Sequence, residues 1–264
     1  MIRPGAIGDF VVSLPALESL RADYLEVWTR GPNVPLARFA DRAVSIAATG
    51  LDLLGVAAEP PPGLVERLRA FDSIVSWYGA NRPEFRSLVK QLGLPFEFRD
   101  ALPAAGWRGH AVDFYLAQVG LPPGAVPRIV CPPAPRRDRA VFHPFAGSAR
   151  KQWPLERYRQ AAARFPFPVD WCAGPEDELE GAVRFDDLYE LACWLAGARV
   201  YLGNDSGISH LAAAVGAPVV ALFGPTEPAL WAPRGPRVQV IAASAMEEIE
   251  VERVAATIVE RCGR

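Results

Sequence analysis

The sequence predicts an α/β protein built on parallel sheets, and two observations lead to that prediction. Short, continuously apolar segments alternate along the chain with longer segments whose apolar residues recur at helical spacing. Continuously apolar strands are typical of parallel sheets that helices cover on both faces. A proline-rich stretch at residues 121–140 divides the chain into halves of similar size, because proline lacks a backbone donor and stiffens the chain.

The alternation is clearest in the C-terminal half. There the pattern predicts strands at residues 140–143, 168–173, 200–202 and 218–223, and helices at residues 155–165, 186–196, 209–215 and 250–261. In the N-terminal half it predicts helices at residues 10–20, 64–70 and 112–119 and strands at residues 25–29 and 73–77. We therefore predict two Rossmann-like domains, residues 1–130 and 131–264, facing a central cleft.

Composition excludes several classes of protein. The 264 residues include 28 Lys and Arg against 30 Asp and Glu, so the basic excess typical of nucleic-acid-binding domains is absent and we expect no nucleic-acid partner. The four cysteines form no CxxC pair and the three histidines show no metal-ligand spacing, which predicts buried free thiols and no metal site. The longest apolar run, residues 211–223, falls short of the ~20 residues that cross a bilayer, so we expect a cytoplasmic protein.

Residues 203–211, GNDSGISHL, follow a predicted strand and open a predicted helix. Ser206 and Gly207 would expose backbone N–H groups at the helix start, which is a ready site for phosphate. The alternative is a plain helix start, with Asp205 or Ser206 as the N-cap. His210 lies one turn further along, and a lone histidine more often packs than binds.

A second turn into a helix, IRPGAIGD, occupies residues 2–9. Its Gly5 and Gly8 do not have the GxGxxG spacing of a dinucleotide fingerprint, which argues against a nicotinamide enzyme. Asp9 stands at the helix start, either as a cap or as a general base facing the cleft. A helix start lowers the pKa of a carboxyl group and burial raises it, so both roles stay open.

Two more loops after predicted strands carry charged residues. Lys151, beside Arg150, either meets phosphate oxygens or is a solvated loop charge. Glu176, in the turn AGPE at residues 173–176, could accept hydrogen bonds from a ribose diol.

Four blocks carry a resemblance to a known family: IRPGAIGDFVVSLPALESLR, FHPFAGSARKQWPLERY, WCAGPEDE and YLGNDSGISHLAAAVGAPVVALFGPTEPALWAPRG. Together and in this order they resemble glycosyltransferase family 9, the lipopolysaccharide heptosyltransferases. The resemblance implies a GT-B fold of two Rossmann-like domains, with an N-terminal domain shorter than usual. It implies an inverting, metal-independent glycosyltransferase without a cofactor, with ADP-heptose as donor and a lipopolysaccharide-core or related glycan or glycolipid as acceptor. Peripheral contact with the cytoplasmic face of the inner membrane stays open.

The resemblance also implies roles for single residues. Asp9 falls on the family's catalytic base, and Lys151 falls on a lysine that contacts the donor phosphates. The donor-binding positions and a further cleft position fall on Asp205, Ser206, Gly207, His210, Glu176 and Thr226. Two other hypotheses are a nucleotide-sugar-binding protein without transferase activity and a nucleotide-sugar epimerase.

Overall fold

The computed structural model describes residues 1–56, 59–133 and 135–262. The first of its two parallel sheets contains β1 (Glu26–Thr29), β2 (Arg42–Ser45), β3 (Ile74–Ser76) and β4 (Phe96–Phe98). β1 pairs with β2 and β3 pairs with β4, and Ile2 joins the two pairs through bridges to Trp28 and Ser76. The helices of this half are α1 (Ile7–Ser19), α2 (Leu64–Arg69), α3 (Pro83–Gln91) and α4 (Ala111–Gln118).

The second sheet has the strand order β6–β5–β7–β8–β9, all parallel. Its strands are β5 (Ala140–His143), β6 (Val169–Trp171), β7 (Val200–Asn204), β8 (Val219–Phe223) and β9 (Val238–Ala242). The helices are α5 (Leu155–Ala163), α6 (Leu188–Ala196), α7 (Gly207–Ala214), α8 (Pro228–Trp231) and α9 (Val251–Cys262). β5, β7 and β8 are buried along their whole length, which confirms the α/β prediction made from continuously apolar strands.

Helix starts follow the expected capping chemistry. Asp187 caps α6 and accepts hydrogen bonds from the N–H groups of Tyr189 and Glu190, and Ser206 caps α7. Pro154 occupies the N-cap of α5, one residue before the helix. α1 begins at Ile7, three residues before the predicted start, because the last residues of the glycine-containing segment, Ile7 to Asp9, are already helical.

The two halves share a buried core. Phe10 of α1 belongs to the same apolar cluster as Leu211 of α7 and Leu191 of α6. Of the predicted connector, residues 121–140, the described residues 121–133 and 135–139 contain neither helix nor strand, and residue 140 already begins β5. The N–H of Ile129 bonds the carbonyl of Ala214 at 3.0 Å. The division into domains at residue 130 stays a prediction.

The structure bears on two predictions made from composition, namely that the cysteines are buried free thiols and that the apolar segments are too short to cross a bilayer. Cys131, Cys172 and Cys193 are free thiols, but only Cys172 is buried and the other two are half-buried. The side chain of Cys262 lies outside the described residues. Within the described ranges, the helices are too short or too polar to cross a bilayer.

Candidate active site

The order of the strands predicts where a ligand binds. In the second sheet the chain adds β6 on one side of β5 and then returns to add β7 on the other side, so the order reverses between β5 and β7. In the first sheet the order reverses in the same way between Ile2 and β3. Ligands of open α/β sheets bind beyond the carboxyl ends of strands at such reversals. The loops that follow Ile2, β5 and β7 are therefore expected to meet the ligand.

The starts of α1 and α7 touch each other at two glycines. A Cβ added to Gly207 would stand 2.7 Å from the Cβ of Ile7 and 2.9 Å from the nitrogen of Gly8. A Cβ added to Gly8 would stand 3.2 Å from Cδ2 of His210. The space beside Gly207 is thus filled by α1 and is not open to a ligand, so the missing side chain at 207 serves the contact between the helices.

Two cavities border this contact and share Ala6, Gly147, Ser206 and Gly207. The first, which we call the Asp9 lobe, has a volume of about 500 Å³. Its lining brings together most of the predicted site residues: Gly8, Asp9, Lys151, Asp205, Ser206, Gly207, His210 and Thr226. The second, the His143 lobe, has a volume of about 430 Å³ and is lined by Gly5, Arg30, Asn33, His143, Phe145 and Asp177, among others.

Asp9 uses one carboxylate oxygen to cap α1. The N–H of Ala6 donates to Oδ2 of Asp9 at 3.0 Å, and the structure shows no partner for Oδ1 among the described residues. The buried guanidinium of Arg3 holds the loop beneath, donating to the Asp9 carbonyl at 2.9 Å and to the Tyr115 hydroxyl at 2.8 Å. Gly5 has φ +153° and a Cβ there would stand 3.0 Å from the Cβ of Asp9, so this loop requires glycine.

Lys151 and Asp205 form an ion pair across the two loops of the second sheet. The Nζ of Lys151 lies 2.7 Å from Oδ2 of Asp205, whose side chain is 8% exposed. The start of α7 continues with Ser206, whose Oγ accepts the N–H of Ser209 at 3.4 Å. The lysine is therefore held at the start of α7 by a buried carboxylate.

Asn204, which sequence reasoning missed, fixes the ends of β5 and β7 relative to each other. Its Nδ2 donates to the carbonyl of Pro144 at 2.8 Å. Its Oδ1 accepts the backbone N–H of Trp153 at 3.1 Å and the hydroxyl of Tyr158 at 3.0 Å. In the sequence, an asparagine that directly ends an apolar strand segment is the signal that could have identified Asn204.

Burial keeps the histidines of the cleft neutral. It lowers the pKa of both His143 and His210 to about 4. Nδ1 of His143 is buried without a hydrogen-bond partner, and within the described part of the chain no group bonds its Nε2 either. His110 accepts the N–H of Val112 on Nδ1 and so donates from Nε2 to the Ala232 carbonyl at 2.8 Å.

Glu176 is the predicted site residue that the structure does not bring into the cleft. It is exposed and lines neither lobe. Asp177, the next residue, lines the His143 lobe and accepts the N–H of Gly174 on Oδ2 at 2.8 Å. Across the described ranges, histidine, cysteine, aspartate and glutamate side chains form no cluster of three or more that could hold a metal ion.

Comparison with known proteins finds a family match in the C-terminal half of the chain. Residues 130–257 match the model of glycosyltransferase family 9, the heptosyltransferases. The C-terminal half of this chain is similar to glycosyltransferase family 9. The family match thus contains the β5–β7 reversal and the start of α7, and most of the residues that line the Asp9 lobe.

The similar family 9 proteins are lipopolysaccharide heptosyltransferases. The chain is 33% identical over 93 residues to lipopolysaccharide heptosyltransferase 1 of Pseudomonas aeruginosa, covering 30% of this chain and 26% of that protein. It is 31% identical over 113 residues to lipopolysaccharide heptosyltransferase 1 of Escherichia coli K12, covering 37% of this chain and 35% of that protein. The matches therefore span about a quarter to a third of these relatives' length.

Solved structures of family 9 proteins show the fold of the whole chain. E. coli heptosyltransferase WaaC with ADP has a TM-score of 0.73 and 19% identity, with 98% of each chain covered. E. coli ADP-heptose lipopolysaccharide heptosyltransferase II has a TM-score of 0.75 and 19% identity, with 99% of this chain and 97% of that one covered. These likenesses extend over both sheets and confirm the predicted GT-B fold.

Proposed function

We propose that this protein is an inverting, metal-independent glycosyltransferase that moves heptose from ADP-heptose to a hydroxyl group of a lipopolysaccharide-core or related glycan acceptor. One observation carries the proposal: Asp9 and Lys151, which lie far apart in the sequence, face the same cavity of about 500 Å³ at the start of α7. The lining of this cavity thus combines a carboxylate with one oxygen that has no partner among the described residues, a lysine, and the start of α7.

In this proposal the donor diphosphate binds at the start of α7, because Ser206 and Gly207 border both lobes. Its sugar then lies in the Asp9 lobe, where the carboxylate is, and its nucleoside lies in the His143 lobe. Support for an ADP-linked donor comes from relatives whose structures hold ADP or an ADP-heptose. The same site would bind the donor in a protein that lacks transferase activity.

The His143 lobe offers what a ribose hydroxyl needs. Neutral imidazole has one N–H, and a buried donor without a partner is rarer than a buried acceptor without one, so the proton of His143 belongs on Nε2. The carboxylate residue Asp177 lines the same lobe as His143. A hydroxyl can accept from Nε2–H and donate to that carboxylate at once, and Phe145 lies in the same lining.

The reaction is a single displacement at the anomeric carbon. Asp9 takes the proton of the acceptor hydroxyl, and the acceptor oxygen forms a bond to C1 of the sugar from the face opposite the phosphate. The bond between C1 and the phosphate oxygen breaks, and ADP leaves with the electron pair. The anomeric configuration is therefore inverted. The α7 N–H groups and Lys151 stabilise the charge that develops on the departing phosphate, as fixed donors do.

The acceptor enters between an apolar residue from each half of the protein. Leu102, which is 57% exposed, and the half-buried Trp231 both line the Asp9 lobe. Sugar rings carry C–H faces that pack on apolar and aromatic surfaces, so these side chains suit a glycan or glycolipid acceptor. An acceptor of that kind would bring the protein to the cytoplasmic face of the inner membrane.

The test is incubation of the purified protein with ADP-heptose and deep-rough lipopolysaccharide, which is lipid A bearing only Kdo. We expect release of ADP and a product heavier by one heptose, undiminished by EDTA and inverted at C1 by NMR, while UDP-glucose gives no product. ADP-heptose that is neither bound nor consumed would overturn the proposal. Binding without consumption would indicate a donor-binding protein, and an altered donor without acceptor would indicate an epimerase.

A further inference from the structure

The charge of Lys151 is already matched in the free protein. Its Nζ lies 2.7 Å from Oδ2 of Asp205, and the Asp205 side chain is almost fully buried. A donor phosphate that meets Lys151 therefore meets an ion pair and not a free cation. An ion pair has little net charge to offer to a ligand that is itself negative.

The other ionisable groups of the two lobes do not make up the difference. Asp9 and Asp177 add negative charge to the lining, and His143 and His210 stay neutral because burial lowers the pKa of each to about 4. In the described lining of both lobes the remaining cation is Arg30. The carboxylates of the cleft thus outnumber its cations before any phosphate enters.

Arg30 stands directly after β1, at the carboxyl end of the first sheet, and is exposed. Its side chain makes no hydrogen bond or ion pair with the described residues. Its backbone is fixed: the carbonyl of Arg30 accepts the N–H of Asn33 at 2.9 Å, and Nδ2 of Asn33 donates to the carbonyl of Gly5 at 3.0 Å. The loop that carries Arg30 is thereby tied to the turn that precedes α1, the helix that carries Asp9.

We propose that Arg30 binds the diphosphate of the donor, reaching from the wall of the His143 lobe to the phosphate oxygens at the start of α7. Ser206 and Gly207 line the same cavity as Arg30, which places the helix start and the guanidinium around one space. A guanidinium presents paired N–H groups that match two oxygens of a phosphate. The N-terminal half thereby contributes a residue to the recognition of the donor. This inference rests on the proposed function.

The experiment measures the dissociation constants of ADP, AMP and adenosine by titration calorimetry for the wild type, Arg30→Gln and Arg42→Gln. Arg42 lies in the neighbouring strand of the same sheet, is 58% exposed and faces neither lobe, so its replacement removes the same charge elsewhere. We expect Arg30→Gln to weaken ADP binding about tenfold or more, since a charge-assisted bond is lost, and to leave adenosine binding unchanged. Arg42→Gln should bind all three ligands as the wild type does.

Three outcomes separate the claims. Equal ADP affinity in the wild type and Arg30→Gln overturns the role of Arg30. An equal loss for ADP and adenosine overturns it as well, since Arg30 would then contact the nucleoside. Failure of the wild type itself to bind ADP overturns the proposed function. Arg30→Lys, which keeps the charge but not the paired N–H groups, should recover part of the ADP affinity, and melting temperatures of all variants should agree.

Discussion

Asp9 caps a helix with one carboxylate oxygen and, in the proposed mechanism, acts as the base with the other. Its Oδ2 accepts the N–H of Ala6, while the described residues leave Oδ1 without a partner in the Asp9 lobe. The cap fixes the orientation of the carboxylate, which lines the Asp9 lobe, so little further side-chain entropy is lost when it acts there. The proposed mechanism therefore assigns capping to Oδ2 of Asp9 and proton transfer to its Oδ1.

Replacing Asp9 by Asn separates these roles. Asparagine caps a helix about as well as aspartate, so the melting temperature and ADP affinity should stay near those of the wild type. Turnover of ADP-heptose should fall about 10²–10⁴-fold, because the amide cannot take the acceptor's proton. Asp9→Ala, the companion variant, should lose stability as well. Transfer by a folded, ADP-binding Asp9→Asn variant at the wild-type rate would show that the base lies elsewhere.

Sequence reasoning located the residues that sit in motifs and missed those that depend on three-dimensional neighbours. Asp9 and Lys151 follow strands and stand in quoted blocks, and both line the Asp9 lobe. His143 gave no signal, because it reads as the end of an apolar strand until the neighbouring loops form a cavity around it. In the turn after β6, the side chain that faces the His143 lobe belongs to Asp177, one residue beyond the predicted Glu176.

At the scale of elements, the contact between α1 and α7 depends on a missing side chain. We predict that Gly207→Ala destabilises the protein, because its Cβ would stand 2.7 Å from the Cβ of Ile7. Overpacking of this kind costs about 1–3 kcal/mol. The measurement is the midpoint of urea unfolding. Gly106→Ala is the control, since a Cβ at Gly106 meets nothing within 4 Å, and it should leave the midpoint nearly unchanged.

Comparison of Gly207→Ala with Gly106→Ala also tests whether Gly207 serves the packing of α1 on α7 or the binding of phosphate. If Gly207→Ala were as stable as the wild type, the close approach of the two helices would not be a constraint on the fold. The glycine would then be free to serve phosphate binding alone. Loss of stability without any ligand present assigns it first to the packing of α1 on α7.

The buried central strands were predictable, whereas of the edge strands only β6 was predicted, at residues 168–173. β5, β7 and β8 are apolar along their length, and each was predicted. β2 and β9 were missed at the edges of their sheets, where the exposed Arg42 and the half-buried Gln239 interrupt the apolar run. The solvent-facing positions of an edge strand carry polar residues. The continuous apolar pattern from which strands were predicted is therefore lost.

At the scale of the molecule, α4 is bonded to the segment that follows β8. Arg234 pairs with both carboxylate oxygens of Asp113, at 2.6 and 2.7 Å. Nearby, His110 donates to the carbonyl of Ala232 at 2.8 Å. The Arg234 guanidinium holds the pKa of Asp113 below its usual range, so this pair is charged at neutral pH. These bonds join the two halves beside the Asp9 lobe.

A double-mutant cycle with Asp113→Asn and Arg234→Met measures this connection. Both side chains are about four-fifths buried, so we expect a coupling of about 0.5–3 kcal/mol in the free energy of unfolding in urea. The exposed pair of Glu156 and Arg159 on α5 is the comparison, with an expected coupling of about 0–0.5 kcal/mol. Equal couplings in the two cycles would mean that the pair of Asp113 and Arg234 stabilises the protein no more than an exposed surface pair does.

The meeting of α1 and α7 also has a consequence for the charge of the cleft. The amino end of a helix carries the equivalent of about half a positive charge, so two such ends at one place amount to about one. No proton produces this charge, and therefore it has no pKa. It stays the same at every pH at which the protein is folded, whereas Lys151 offers its charge only in company with Asp205. The glycines that let the helix ends touch thus give the cleft a positive contribution that does not titrate and that partly offsets its carboxylates, including Asp9 at the start of α1.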